Sequence, residues 1–148
     1  MVEPSDRDPP PFPEDAVTLL RSPFDRTSLG QLRGELTMCG VSNGLTDLNL
    51  SNFVLAVNEI ATNAVRHGGG RGRLALWRQA DELWCEIIDS GGGIPSGRVN
   101  GFHRPQPGHI GGWGLWLARH ICASVDIETG LGGTRVVLRY PIPPPAPA

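Results

Sequence analysis

The stretch that most constrains the fold is a long one-sided helix pattern that stops at three glycines. From about Asp47 to His67, Phe53, Val57, Ile60 and Ala64 recur at helical spacing, with Glu59, Asn63 and Arg66 or His67 on a polar stripe beside them. Asp47, Asn49 and Ser51 each offer an N-cap, and Gly68-Gly69-Gly70 ends the run. A helix with one apolar stripe must bury it against another layer. The segments that follow supply that layer. Arg73 to Trp77 and Leu83 to Asp89 flank Gln79-Ala80-Asp81-Glu82 and read as a hairpin, and Val125 to Thr129 and Thr134 to Tyr140 flank Gly130-Leu131-Gly132-Gly133 and read as another.

Two further helices complete the pattern. Leu29, Leu32, Leu36 and Met38 mark one from Thr27 to Cys39, ended by Gly40 and Asn43-Gly44, and Leu115 to Ser124 is the other. Ala16 to Leu20 reads as an edge strand broken by Pro23 and Asp25. The order is strand, helix, helix, two strands, helix, two strands. It predicts an α/β (α+β) two-layer sandwich, with a mixed, mostly antiparallel sheet of about five strands covered on one face by three helices. Ten of the 14 prolines lie in the end segments, which predicts disordered tails over 1–14 and 141–148 around one domain at 15–140. Ser90 to Gly112 has eight of the 20 glycines and no periodicity, the profile of a functional loop or lid.

Composition narrows the chemistry. The net charge of −2 gives no field for nucleic acid or an acidic membrane, and no apolar run is long enough to span a bilayer, so a cytoplasmic protein is expected. Cys39, Cys85 and Cys122 are odd in number and widely spaced, so buried thiols are expected rather than a disulfide or a metal site. All 13 basic residues are arginine. Without lysine there is no P-loop, no ordinary protein-kinase fold and no Schiff-base or Ser-Lys chemistry. A nucleotide would have to be held by other means.

Three pieces offer those means. Glu59 and Asn63 stand four apart on one helix face, a carboxylate beside an amide oxygen. Mg²⁺ on nucleotide phosphates takes only one or two protein oxygens, and a nearby Glu can accept a proton. Alone, the pair reads more simply as a solvated helix face. Asp89 ends the apolar strand Ile87-Ile88, a costly place for an unpartnered acid, and can accept from an exocyclic amine such as that of adenine. Gly91 and Gly93 allow positive φ and close approach to a flat ring, although a plain turn explains them equally well. Gly112 and Gly114 open a helix N-terminus, a phosphate cradle without lysine or else a glycine hinge.

Together these pieces resemble the Bergerat-type, histidine kinase-like ATPase domain. Glu59-x-x-x-Asn63 with His67 is similar to its N-box, Asp89-x-Gly91-x-Gly93 (followed by Ile94) to its first glycine box, and Gly112-x-Gly114-Leu115 to its second. Gly133-Thr134 resembles the late Gly-Thr that helps hold the adenine-binding Asp. The resemblance runs from about Ala16 to Tyr140, with four motifs in order. Asn58-Glu59, Thr62-Asn63-Ala64 and His67 look most like the anti-sigma-factor serine/threonine kinases.

That likeness implies ATP and Mg²⁺ as cofactors, with Asn63 holding the metal, Glu59 as general base, and Asp89 on adenine N6. Gly91, Gly93, Gly112 and Gly114 would shape the pocket and lid, with His67, Ile94, Leu115 and Thr134 as further nucleotide contacts. It also implies a sigma factor as one partner, and as substrate a serine or threonine of its anti-anti-sigma antagonist. The oligomeric state stays open between monomer and homodimer.

Ile110 stands where some members carry an Arg, and Trp113 sits between the two glycines; Arg98 or Arg104 could reach the γ-phosphate from the lid instead. An ATP-dependent binding module without transfer is the nearer alternative, and a detached histidine-kinase catalytic domain is another. The run Ile87 to Gly93 also resembles the first motif of S-adenosylmethionine-dependent methyltransferases, but too little chain follows for that fold.

Overall fold

The computed structural model describes residues 16–91, 113–130 and 132–145, with only the backbone for 113–115. Five strands form one sheet: β1 (Val17–Asp25), β2 (Arg71–Gln79), β3 (Glu82–Asp89), β4 (Ser124–Gly130) and β5 (Gly133–Pro141). Three α-helices accompany them among the described residues: α1 (Leu29–Ser42), α2 (Asp47–His67) and α3 (Trp113–Ile121). The spatial order is β1-β2-β3-β5-β4, and every neighbouring pair is antiparallel. The expected element order and five-stranded sandwich are present, and no strand pair among the described residues is parallel.

The helices lie on one face because every second strand residue is apolar. Leu74 and Leu76 of β2, Leu83, Cys85 and Ile87 of β3, and Val136, Leu138 and Tyr140 of β5 form one core with Leu32, Leu36, Phe53, Val57, Ile60, Ala64 and Ala118 of the helices. The predicted stripe of α2 is wholly buried. Phe53 and Tyr140 meet edge to face with centroids 5.8 Å apart, and the Tyr140 hydroxyl donates to Asn49 Oδ1 at 2.8 Å. These contacts fix α2 over β3 and β5, and so fix where its polar side emerges.

Several local expectations are corrected. β1 does not break at Pro23 but runs to Asp25, because an edge strand pairs on one side only and tolerates proline. Asp25 instead caps the 3₁₀ turn Arg26–Ser28, accepting from the Thr27 and Ser28 main-chain N–H groups. α1 continues through Gly40, whose bare Cα admits Leu50 and Leu45, and Asn43 is its C-cap. Met38 is 73% exposed and belongs to no core stripe. The N-cap of α2 is Thr46, which makes no side-chain cap hydrogen bond; Asp47 lies in the first turn. α3 occupies Trp113–Ile121 rather than 115–124, since Ser124 already pairs with Arg139 in the sheet. β5 runs through Pro141, one residue beyond the strand end expected at Tyr140, and the Ile142 N–H donates to Asp81 O at 2.7 Å.

Among the described residues, the opposite face of the sheet carries no helix but is not bare. Trp77 and Trp84 stack with centroids 5.9 Å apart, and Arg139 lies over Trp84 at 5.5 Å. Arg135 bonds the buried Glu86 at 2.7 Å and reaches Glu128 at 3.6 Å.

Candidate functional site

The site lies where the C-terminal turns of α2 meet the ends of β3 and β5. A cavity there has Asn63, His67, Asp89 and Thr134 as polar lining and Ile60, Ala64, Ile87 and Val136 as apolar walls. Four of the eight lining residues are the polar ones singled out by sequence. Of the apolar four, Ile60 and Ala64 were expected in the buried stripe of the helix and Ile87 in an apolar strand, while Val136 was not singled out. They are legible in retrospect as strand and helix neighbours of Asp89 and Asn63: Ile87 is two before Asp89, and Ile60 and Ala64 flank Asn63. The accessible interior is about 20 Å³, room for about one water and not for a purine, so a bound base must open this cleft.

Asp89 is the best-defined group. β3 carries it to the end of an apolar strand, and the pairing with β5 sets it opposite Thr134. Its Oδ1 accepts from the Gly91 N–H at 3.0 Å, and the Thr134 main-chain N–H lies close enough to favour the charged form. Partial burial raises its pKa above the usual aspartate value, and those two N–H donors oppose the rise. Thr134 is itself fixed by a hydroxyl contact with Thr129 Oγ1 at 2.9 Å. The late Gly-Thr and the acid are thus neighbours across the β3–β5 pairing. Gly133 has φ +125°, and a Cβ there would collide with the Asp89 carbonyl oxygen.

The role expected for Gly91 is corrected: its φ is not positive. It must be glycine because the end of α2 comes so close that a Cβ would overlap Gly68. Sequence reading treated Gly68 only as a helix stop and missed this approach.

On α2, Glu59 and Asn63 are both partly buried, and His67 is exposed at the helix end. Asn63 reaches the cavity and Glu59, one turn earlier, is not in its lining. No cluster of three or more His, Cys, Asp or Glu able to hold a metal occurs among the described residues. A metal here would have to be held chiefly by a ligand's own oxygens, with Asn63 as protein donor, which fits Mg²⁺ on a nucleotide. Gly114 and Leu115 fall in the first turn of α3, so the expected helix start at the second glycine box is seen in the backbone. Gly93, Ile94, Gly112 and the whole predicted lid from 92 onward lie outside the described residues, as do Arg98, Arg104 and Ile110. The three cysteines are free, and burial pushes Cys122 up to about 12 and Cys85 well above its usual range, so both stay protonated.

The histidine kinase-like ATPase domain family matches residues 22–140. The chain belongs to that family. Among solved structures, it is similar to a Mycobacterium tuberculosis protein comprising RsbU and RsbW domains, at 21% identity and a TM-score of 0.62, over 83% of this chain and 31% of that one. It is also similar to the histidine kinase domain of a blue-light-activated kinase from Erythrobacter litoralis, at 18% identity and a TM-score of 0.54, over 78% and 64% of the two chains. This chain thus spans about a third of the first relative and under two thirds of the second. No curated protein matches it. At these identities the neighbours establish the fold, which is that of histidine kinase-like ATPase domains.

Proposed function

We propose that this ATPase domain binds Mg²⁺-ATP and transfers its γ-phosphoryl group to a serine or threonine of a protein antagonist, acting in the cytoplasm as an anti-sigma regulatory kinase. The observation that carries the reading is Asp89. A partly buried carboxylate held by the Gly91 main-chain N–H, lining one cavity with Asn63, suits an adenine amine at one end and a phosphate-bound metal at the other. The N-box pattern with Glu59 before Asn63 and the likeness to an RsbW-domain protein favour the serine/threonine class over a histidine kinase. No helix among the described residues is long and apolar enough to cross a membrane.

In this reading Asn63 offers its amide oxygen to Mg²⁺, which neutralises charge on the phosphates. Glu59 takes the proton from the substrate hydroxyl as its oxygen attacks the γ-phosphorus and the bond to ADP breaks. A sigma factor is the second partner, released or held according to the state of the antagonist. The alternative, a binding module that holds ATP and a partner without transfer, is favoured by Glu59 lying outside the cavity lining.

Glu59→Gln separates the two. Loss of a general base typically costs ~100- to 10,000-fold in rate, so phosphate transfer from labelled ATP to a bound antagonist should nearly vanish while ADP affinity holds. A wild-type protein that binds its antagonist and ATP but transfers nothing is a binding module. Undiminished transfer in Glu59→Gln assigns the base to another residue.

A further inference from the structure

The end of α2 and the turn after β3 touch backbone to backbone. A Cβ on Gly68 would overlap the Asp89 carboxyl carbon and stand 2.5 Å from Oδ2. From the other side, a Cβ on Gly91 would overlap Gly68 and stand 2.9 Å from Gly69 N. Helix termination does not demand a glycine at 68. Its φ is −108°, open to any residue, and the left-handed turn is made by Gly69 and Gly70, both at φ +88°. The Gly68 N–H still closes the helix onto Ala64 O at 2.8 Å. A side chain at this position is excluded by the Asp89 carboxyl on one side and by the Ala64 carbonyl oxygen, 2.6 Å from such a Cβ, on the other.

We infer that Gly68 is a positioning residue for base recognition: its bare Cα holds the Asp89 carboxylate in the orientation that accepts an exocyclic purine amine, and so sets a preference for adenine over bases without that amine. The inference rests on the nucleotide reading above. The carboxylate is fixed on one side by the Gly91 N–H and limited on the other by Gly68. Hydrogen bonds weaken steeply with misalignment, so a displaced carboxylate loses the amine before it loses the rest of the ligand. The same contact registers two parts of the site. Asn63 lies just over one turn before Gly68 on α2, so the distance between the base-reading acid and the metal-side amide is set where helix and turn meet.

The test compares ADP with purine riboside diphosphate, which lacks only the 6-amino group, by calorimetry on the full chain. Wild type should prefer ADP by about 10-fold or more, the size of one hydrogen bond to a charged acceptor. Gly68→Ala should remove most of that preference by weakening ADP while leaving the analogue within about 2-fold. Gly69→Ala is the control: its φ of +88° strains any side chain, so stability should fall while the preference stays.

A second readout needs no nucleotide. The ¹³Cγ signal of Asp89 should titrate above the ordinary aspartate range in wild type, because burial disfavours the charge, and shift toward that range in Gly68→Ala as the carboxylate is pushed out. Equal weakening of both nucleotides in a folded Gly68→Ala overturns the inference. So does an Asp89 that titrates normally in wild type, which decides the matter even if the variant does not fold. Should wild type bind neither nucleotide, the nucleotide reading fails, and the titration still reports whether Gly68 holds the carboxylate.

Discussion

Replacing Asp89 with asparagine should separate what the site needs from what the fold needs. The side chain keeps its shape, and its remaining oxygen can still accept the Gly91 N–H now made at 3.0 Å. What it loses is charge, and the oxygen facing the cleft becomes an NH₂ donor where an adenine amine also donates. A hydrogen bond to a charged acceptor contributes about 1.5–3 kcal/mol, so ADP affinity should fall about 10- to 150-fold. Stability should move the other way or not at all. The folded-state pKa of Asp89 lies above its unfolded value, so its favourable contribution is present only below the unfolded pKa and is lost as pH rises through the folded one. At neutral pH the buried charge is a cost, and asparagine removes it. Because the group is only partly buried, the gain should be small.

Titration calorimetry and differential scanning calorimetry on the same samples read both quantities. Wild-type ADP affinity should also fall as pH drops through the raised pKa of Asp89, and the asparagine variant should lack that component. Equal ADP affinity in Asp89→Asn would place the base elsewhere. A midpoint lowered by several degrees together with weak binding would mean that Asp89 holds the fold rather than the ligand.

Two further outcomes follow from the same geometry. Asn63→Ala should abolish the Mg²⁺ dependence of ATP binding while binding of metal-free ADP changes little, which nucleotide titration with and without Mg²⁺ would read. Phe53 is fully buried between α2 and Tyr140, so Phe53→Ala should cost about 3–5 kcal/mol in chemical denaturation, and a loss below about 1 kcal/mol would contradict the packing described.

Much of this protein is local, and the sequence by itself determined it. The stripe of Phe53, Val57, Ile60 and Ala64 depends only on helical period, and the two hairpins depend on alternation around short turns, so both were readable without a structure. The absence of lysine and the ordered Asn63, Asp89 and glycine motifs likewise pointed to a lysine-free nucleotide site.

Only the tertiary structure decided how these parts meet. Sheet order put β5 between β3 and β4 and so brought Thr134 to Asp89, a pairing between residues 45 positions apart that no local pattern encodes. Pro23 stays in a strand because that strand is an edge, and Met38 is solvent-exposed because α1 turns that side away from the sheet; both depend on neighbours rather than on propensity. The same holds for the glycines. From the sequence, Gly68 and Gly91 are a helix stop and a turn, two conformational roles. In the fold Gly91 has no room for a Cβ because the Gly68 backbone lies against it, and Gly68 has none because the Asp89 carboxyl does; a distance between remote segments exists only once the chain has packed.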